Sequence, residues 1–119
     1  MSDLPTIDPA AIESLRSLSP DTDGTFLREL IEIYLQDTPA RLADLDAALA
    51  KGDANALMRA AHTIKGSSSN FGATKFAHLA QQIELHGKAG TCAPVPPLVP
   101  AFKAEYALVT EALKKIIGT

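Results

Sequence analysis

Residues 60–73 of the chain read AAHTIKGSSSNFGA, and they combine a helical apolar pattern with a histidine that lies outside it. Placed on a helix at ~100° per residue, the apolar and small side chains of this region share an arc of about 100°. That arc is predicted to be buried, and it holds Leu57, Ala60, Ala61, Ile64 and Ser68. The flank and back of the same helix hold Met58, His62, Lys65, Gly66 and Ser69. The pattern therefore predicts that the His62 imidazole faces water.

Gly66 follows His62 by four residues, which is one helical turn. A glycine in an exposed helix interior destabilises the helix by ~1 kcal/mol relative to alanine, so folding alone does not ask for it. Side chains four apart are neighbours on a helix surface, so the missing one clears space beside the imidazole. Lys65 adds a positive charge at the same place. Phosphoryl transfer depends on such positioning and charge neutralisation, which makes His62 a candidate phosphoryl acceptor.

This stretch resembles the signature of the histidine-containing phosphotransfer (HPt) domains of multistep two-component phosphorelays. In that family a surface histidine on a four-helix bundle carries a phosphoryl group between receiver-domain aspartates. The residues at the family's spacings are His62, Lys65, Gly66, Ser67, Ser68, Asn70, Gly72 and Ala73. The resemblance extends from about Phe26 to the C-terminus. It implies that His62 is the phosphorylated residue, Lys65 the neighbouring cation and Gly66 the residue that gives access.

The chain of 119 residues is long enough for one hydrophobic core, so a single domain is expected over 1–119. Its formal net charge of −3 argues against a general nucleic-acid binder. Residues 1–53 hold eleven acidic and four basic side chains, whereas residues 54–119 hold three acidic and seven basic ones. The basic half carries His62, and Arg59, Lys65 and Lys88 could therefore steer an acidic partner towards it.

Cys92 is the single cysteine of the chain, so an intrachain disulfide is impossible. The N-terminus lacks the basic and apolar segments of a signal peptide, and no run of about 18 apolar residues occurs. We expect a soluble cytoplasmic protein without membrane contact.

A short first helix is predicted after Asp8, an N-cap residue followed by Pro9 at the first helical position. Ser19 and Pro20 are expected to end it. We expect this helix to lie as a lid across one end of the fold, with residues 1–21 forming the lid helix and a linker.

A long helical pattern starts at Asp23 or Gly24 and is interrupted by Pro39. The apolar stripe keeps its phase across the proline, which favours one bent helix of about 25 residues. Two helices meeting at residues 37–38 are the alternative. Gly52 is the expected C-cap.

Three more helices are predicted by apolar residues at spacings of three and four. They run from Ala54 to about Phe71 behind an Asp53 cap, from Lys75 to about Lys88, and from Leu98 or Val99 to about Ile117. Residues 87–97 are rich in Gly and Pro and are expected to form a loop. The predicted fold is all-α, an antiparallel up-down four-helix bundle over 22–119 with a short N-terminal lid helix.

The helix after His62 offers Phe76, Leu79, Ala80 and Ile83 as its buried face. Glu84 and Lys88 fall on one shoulder of that helix, and His78 falls on its exposed back. HPt domains commonly have a polar residue, in some members Gln, where Glu84 stands. We expect Glu84 to accept a hydrogen bond from the unphosphorylated nitrogen of His62, with a solvated carboxylate as the alternative.

Other classes of function have less support in the sequence. His62, His78 and His86 are not spaced i, i+4 on one helix face, which disfavours a metal site. A purely structural helical adaptor would leave Gly66 unexplained. The chain has no Gly-rich phosphate loop and no paired carboxylates for Mg²⁺, so we expect a phosphocarrier with no cofactor of its own rather than an enzyme acting alone.

The mechanism implied by the resemblance starts from neutral His62. A ring nitrogen, by the resemblance Nε2, attacks the phosphoaspartate of a docked receiver that supplies Mg²⁺, and a second receiver takes the group.

The expected partners are response-regulator receiver domains and a hybrid histidine kinase. Direct phosphorylation by a histidine kinase catalytic domain, as in chemotaxis-type kinases, is the alternative. The expected partner-binding residues are Met58, Arg59, Ser69, Ala77 and Lys88. No additional apolar stripe is present, so we expect a monomer.

Overall fold

The structure, a computed structural model, describes residues 6–18 and 24–118. Five α-helices occur in this part of the chain, with a 3₁₀ turn over Pro96–Leu98 before the last. They are α1 Pro9–Ser17, α2 Thr25–Lys51, α3 Ala54–Asn70, α4 Thr74–Lys88 and α5 Val99–Ile117. The described residues contain no strand, and none of their helices is long and apolar enough to cross a membrane. The expected helix stop at Ser19 and Pro20, and the proposed boundary after residue 21, lie outside the described residues.

Helices α2 to α5 form a four-helix bundle in which each helix runs antiparallel to its neighbours. α3 packs on α2 and α4, and α5 packs on α4 and α2, so that α3 and α5 lie on opposite corners. The most extensive contact joins α3 to α4. The all-α bundle predicted from the sequence is confirmed.

Local signals set the ends of the helices. The Asp8 carboxylate accepts from the Ala10 amide at 3.0 Å and the Asp53 carboxylate accepts from the Ala56 amide at 3.0 Å, which satisfies donors that a helix start leaves free. Gly52 ends α2 with φ of 67°, a conformation that glycine adopts without steric penalty. These three predicted caps are confirmed.

Pro39 lies within one continuous helix. Proline lacks the amide that would reach the Leu35 carbonyl. Immediately before it, the Thr38 hydroxyl donates to the Tyr34 carbonyl at 2.7 Å, which adds a side-chain bond to the helix at this point. The single-helix prediction is confirmed, and the alternative of two helices is wrong.

The core combines aliphatic side chains with stacked aromatic rings. The Phe76 and Phe102 rings stack with centroids 4.6 Å apart, which joins α4 to α5. The Tyr34 and Ser68 hydroxyls lie 2.7 Å apart in a buried hydrogen bond that joins α2 to α3. Burial raises the pKa of Tyr34 to about 12, so this phenol stays neutral. The bond explains why a serine lies on the buried face of α3.

α1 covers the end of the bundle at which α3 turns into α4. The Asp8 amide donates to the Gly72 carbonyl at 2.8 Å, and Ile12 is buried. Gly72 has φ of 71°, and a Cβ there would lie 2.8 Å from the Ala11 Cβ. Glycine at this turn therefore both ends α3 and lets α1 pack closely, as predicted for a lid helix.

The buried face of α4 is wider than predicted. Phe76, Ala80 and Ile83 are buried as expected, but Leu79 is only partly buried. Three further residues are buried on the side that faces α3, namely Ala77, Glu84 and Gly87. The apolar pattern located only the inner face of α4, because the side towards α3 is made of small and polar residues. The predicted end of this helix at about Lys88 is confirmed, so the prediction that the loop already includes Gly87 and Lys88 is wrong.

Candidate functional site

His62 lies on the exposed face of α3, with 66% of its side chain accessible to solvent. The buried residues of this helix are the five that the periodicity predicts, Leu57, Ala60, Ala61, Ile64 and Ser68. Because the burial of these five fixes the rotation of α3 in the bundle, the residue at position 62 must point outward. The imidazole is therefore accessible to another molecule.

Gly66 is exposed, and among the residues that the structure describes, a Cβ placed on it would have no heavy atom within 4 Å beyond its chain neighbours and the backbone of its own helix. Packing among the described residues therefore does not require a glycine at position 66. The residue lowers helix propensity by ~1 kcal/mol relative to alanine, and no close packing contact within residues 6–18 and 24–118 offsets that cost. Its missing side chain leaves open space one turn from His62.

Glu84 of α4 joins His62 and Lys65 of α3 in one polar cluster. The His62 Nδ1 atom lies 2.8 Å from Glu84 Oε2, and the Lys65 Nζ atom lies 2.7 Å from Glu84 Oε1. The Glu84 side chain is only 6% exposed, so the solvated carboxylate considered from the sequence is wrong. Glu84 therefore contacts both α3 side chains from the buried side of the cluster, while the imidazole of His62 remains exposed to solvent.

The charge on Glu84 follows from two opposing effects. Burial raises the pKa of this carboxyl, but the contacts from Lys65 and His62 outweigh burial and hold the pKa below its usual value. Glu84 is therefore ionised at neutral pH, and an ionised carboxylate can only accept hydrogen bonds. The Nδ1 atom of His62 must then carry the proton that is donated to Glu84. In a neutral ring this leaves the lone pair on Nε2, which gives that nitrogen nucleophilic character.

Two shallow depressions flank the cluster. Side chains from α3 and α4 line the first around His62, namely Met58, Arg59, His62, Thr63, Glu84 and Lys88. The second lies beyond Lys65 and is lined by Lys65, Ser69, Thr74, Ala77, His78 and Gln81. The structure thus places Met58, Arg59 and Lys88 beside the histidine, and Ser69 on the other side of Lys65.

One residue predicted for the docking surface offers little area to a partner. Ala77 is buried and only 8% exposed, because the side of α4 on which it lies packs against α3. The apolar surface expected from Ala77 is therefore wrong. Met58 is half-buried, and Arg59, Ser69 and Lys88 are exposed.

Sequence reasoning missed that Lys65 and Glu84 are ion partners. Helical periodicity ranks the exposure of residues within one helix, but it does not give the register between two helices. The available signal was an acidic residue, Glu84, at the edge of the buried face of the following helix. That signal predicts a contact of Glu84 with His62 but not with Lys65. Within 6–18 and 24–118, no group of three His, Cys, Asp or Glu side chains is placed to hold a metal ion.

Comparisons with known proteins agree with this geometry. Residues 29–114 match the family model described as the Hpt domain. Over 87 residues the chain is 28% identical to multistep phosphorelay regulator 1 of Schizosaccharomyces pombe, an alignment that covers 73% of this chain and 30% of that protein. The chain therefore spans less than a third of the length of this curated relative.

Solved structures extend the similarity to almost the whole chain. The crystal structure of histidine-containing phosphotransfer protein B from Pseudomonas aeruginosa PAO1 is 32% identical, with a TM-score of 0.84 over 93% of each chain. The HPT domain of the Hpt sensor hybrid histidine kinase from Shewanella is 20% identical, with a TM-score of 0.77 over 98% of this chain and 97% of that one, and this likeness shows the fold alone. With the family match over residues 29–114 and an exposed histidine in the matching region, the chain belongs to the family of Hpt domains, the histidine-containing phosphotransfer domains of phosphorelays.

Proposed function

We propose that His62 carries a phosphoryl group between receiver domains. The observation that supports this role most directly is the joint placement of three features on one exposed face. The imidazole is 66% exposed, its Nδ1 atom lies 2.8 Å from a buried carboxylate, and the space beside it at Gly66 is open. A carrier needs an accessible nucleophile of fixed orientation, and these features supply one.

In the proposed reaction the lone pair on His62 Nε2 attacks the phosphorus of a receiver phosphoaspartate in line with the bond that breaks. The new N–P bond forms as the P–O bond to aspartate breaks, and the electrons of that bond return to the aspartate carboxylate. The ring gains positive charge and keeps its proton on Nδ1, where the Glu84 carboxylate stabilises it. The reverse reaction on a second receiver unloads His62. By the resemblance, each receiver supplies the Mg²⁺ that neutralises the transferring group.

Lys65 has a supporting role in this proposal. Its Nζ atom is bound to Glu84 at 2.7 Å, and its side chain is half-buried. The ammonium keeps Glu84 ionised and fixes the carboxylate that orients the imidazole. A lysine has three N–H donors, so others remain for an approaching phosphoryl oxygen.

The docking surface that we propose surrounds His62. Arg59 and Lys88 are exposed cations beside the ring, and Met58 adds apolar area next to them. By the resemblance the active sites of receivers are acidic, so charge complementarity would speed encounter and set orientation. A carrier must release each partner, which fits a contact of modest area.

A cytoplasmic location and a monomeric state stay predictions from the sequence.

A transfer assay with receivers from the same genome tests the proposal. Receivers labelled with ³²P on aspartate are incubated with the chain, and we expect label to move to the chain in an acid-labile, base-stable form. A parallel incubation with histidine kinase catalytic domains and labelled ATP tests the alternative donor. Label that arrives only from a kinase domain would support the alternative, and no label from either donor would contradict both.

Replacement of Glu84 tests how the imidazole is oriented. Glu84→Ala removes the acceptor from Nδ1–H and leaves Lys65 without its carboxylate. Hydrogen bonds to charged groups contribute about 1.5–3 kcal/mol, and each 1.4 kcal/mol is a factor of ten, so we expect transfer to slow by roughly tenfold to a hundredfold. The measurement is the rate of label uptake from a phosphorylated receiver.

Glu84→Gln is the matched control, because its amide oxygen can still accept from Nδ1–H. We expect this variant to transfer faster than Glu84→Ala. Equal rates in the wild type and Glu84→Ala would show that Glu84 does not orient the ring.

A further inference from the structure

Gly87 lies in the last turn of α4 and is buried. A Cβ on this residue would lie 2.9 Å from the Ala54 carbonyl oxygen, 2.9 Å from the Met58 amide nitrogen and 3.0 Å from the Met58 Cα. All three are backbone atoms of α3, so no side-chain rotation can make room for it. The backbones of α3 and α4 are thus in direct contact at Gly87.

Gly66 provides a contrast, since it is the other glycine within a described α-helix. Helix propensity favours alanine over glycine, by ~1 kcal/mol in a helix interior, so propensity explains neither residue. A Cβ at Gly66 meets no other described element within 4 Å, whereas one at Gly87 meets the neighbouring helix. The first glycine faces open space, and the second lies directly against the backbone of α3.

The contact at Gly87 and the contact between His62 and Glu84 are neighbours along the interface of α3 and α4. Glu84 precedes Gly87 by three residues, and His62 follows Met58 by four, so each pair shares a helix face. Since α3 and α4 are antiparallel, the two contacts lie about one helical turn apart, roughly 5 Å along the helices. The Glu84 carboxylate is buried and also bound to Lys65 of α3. The spacing of the two helices at Gly87 therefore bears directly on the distance from Glu84 to His62.

We propose that Gly87 is a positioning residue for phosphotransfer, which acts by holding α4 close enough for Glu84 to bind His62 Nδ1. This inference rests on the proposed function of His62. Ordinary Cβ contacts fall at 3.4–4 Å, so a methyl group at position 87 would push the helices apart by roughly 0.5 Å in a close-packed interior. The hydrogen bond of 2.8 Å would then lengthen towards the distance of about 3.2 Å at which such bonds weaken.

The test is Gly87→Ala, examined first in the unphosphorylated protein. Imidazole ¹⁵N spectra at a pH where the ring is neutral report which nitrogen of His62 carries the proton. We expect the wild type to show the ring protonated on Nδ1 and Gly87→Ala to show a mixture of both tautomers. Gly66→Ala is the matched control for this spectrum, because it adds the same methyl group to a helical glycine in open space. We expect its tautomer to be that of the wild type.

A double-mutant cycle tests whether Gly87 acts through Glu84. We expect Gly87→Ala to slow transfer several-fold in the wild-type background and to have no further effect when Glu84 is replaced by Ala. An equal slowing in both backgrounds would mean that Gly87 acts by another route.

Three results would overturn the inference. They are a wild-type ring that already populates both tautomers, an unchanged tautomer in folded Gly87→Ala, and loss of the folded state in that variant by circular dichroism. The last would mean that the glycine is needed for folding rather than for placing Glu84. The tautomer is measured without phosphorylation, so failure of His62 to accept a phosphoryl group would leave this test intact.

Discussion

His62→Gln is expected to fold like the wild type and to accept no phosphoryl group. The side chain is 66% exposed, so its replacement disturbs little packing, and the buried Glu84 carboxylate keeps Lys65 as its ion partner. We therefore expect the free energy of unfolding to change by less than about 0.5 kcal/mol. A primary amide lacks the basic ring nitrogen that attacks phosphorus, so transfer should be abolished rather than slowed. Thermal unfolding and uptake of ³²P label measure the two effects.

The matched control replaces the other two histidines and keeps His62. The double variant with His78→Gln and His86→Gln leaves His62 as the only histidine of the chain. We expect this variant to take up acid-labile label at the wild-type rate. Label retained by His62→Gln, or lost from the double variant, would show that the phosphoryl group is carried elsewhere.

Gly66→Gln is expected to slow transfer strongly while leaving α3 at least as stable. Glutamine has a higher helix propensity than glycine, and in the described part of the chain no heavy atom outside the local helix backbone lies within 4 Å of the added Cβ. The long side chain would occupy the space one turn from His62 through which we propose that the partner approaches. Misplacement of reacting groups by about 1 Å can reduce a rate on the order of 100-fold, and we expect an effect of that size. Rates of transfer from a phosphorylated receiver and the thermal stability of the variant are the measurements.

Ala107→Gln serves as its control. Ala107 is exposed on α5, which occupies the corner of the bundle opposite α3. The same side chain there should leave the transfer rate unchanged. If Gly66→Gln transferred as fast as Ala107→Gln, the open space at position 66 would have no role in docking.

The position of His62 could be predicted from the sequence because it depends on one helix alone. The five buried residues of α3 establish which face is inward, and their periodicity is visible in the sequence. The caps at Asp8, Asp53 and Gly52 are local in the same sense. The two aspartates accept hydrogen bonds from amides at the start of their own helix, and Gly52 ends the helix that precedes it.

Contacts between helices could not be predicted in the same way. Three features depend on how α4 is rotated and spaced against α3. They are the burial of Glu84, its ion pair with Lys65 and the burial of Ala77. Gly87 shows the limit most clearly. A glycine followed by Lys, Ala and a second Gly resembles the start of a loop, and only the distances to the α3 backbone show that it is a packing residue.

The ion pair between Lys65 and Glu84 has a consequence for the loaded state of the carrier. At rest the two charges balance, at a distance of 2.7 Å. A phosphoryl group brings about two negative charges at neutral pH, and on our proposal it would be attached close to a buried carboxylate whose counter-ion is already engaged. Repulsion between the two anions would offset part of the stabilisation that the Glu84 carboxylate gives to the positively charged ring, and it would thereby raise the free energy of the phosphorylated form. Glu84, which orients the ring for uptake, would thereby also favour transfer of the phosphoryl group to the next receiver, as a relay requires of its intermediate.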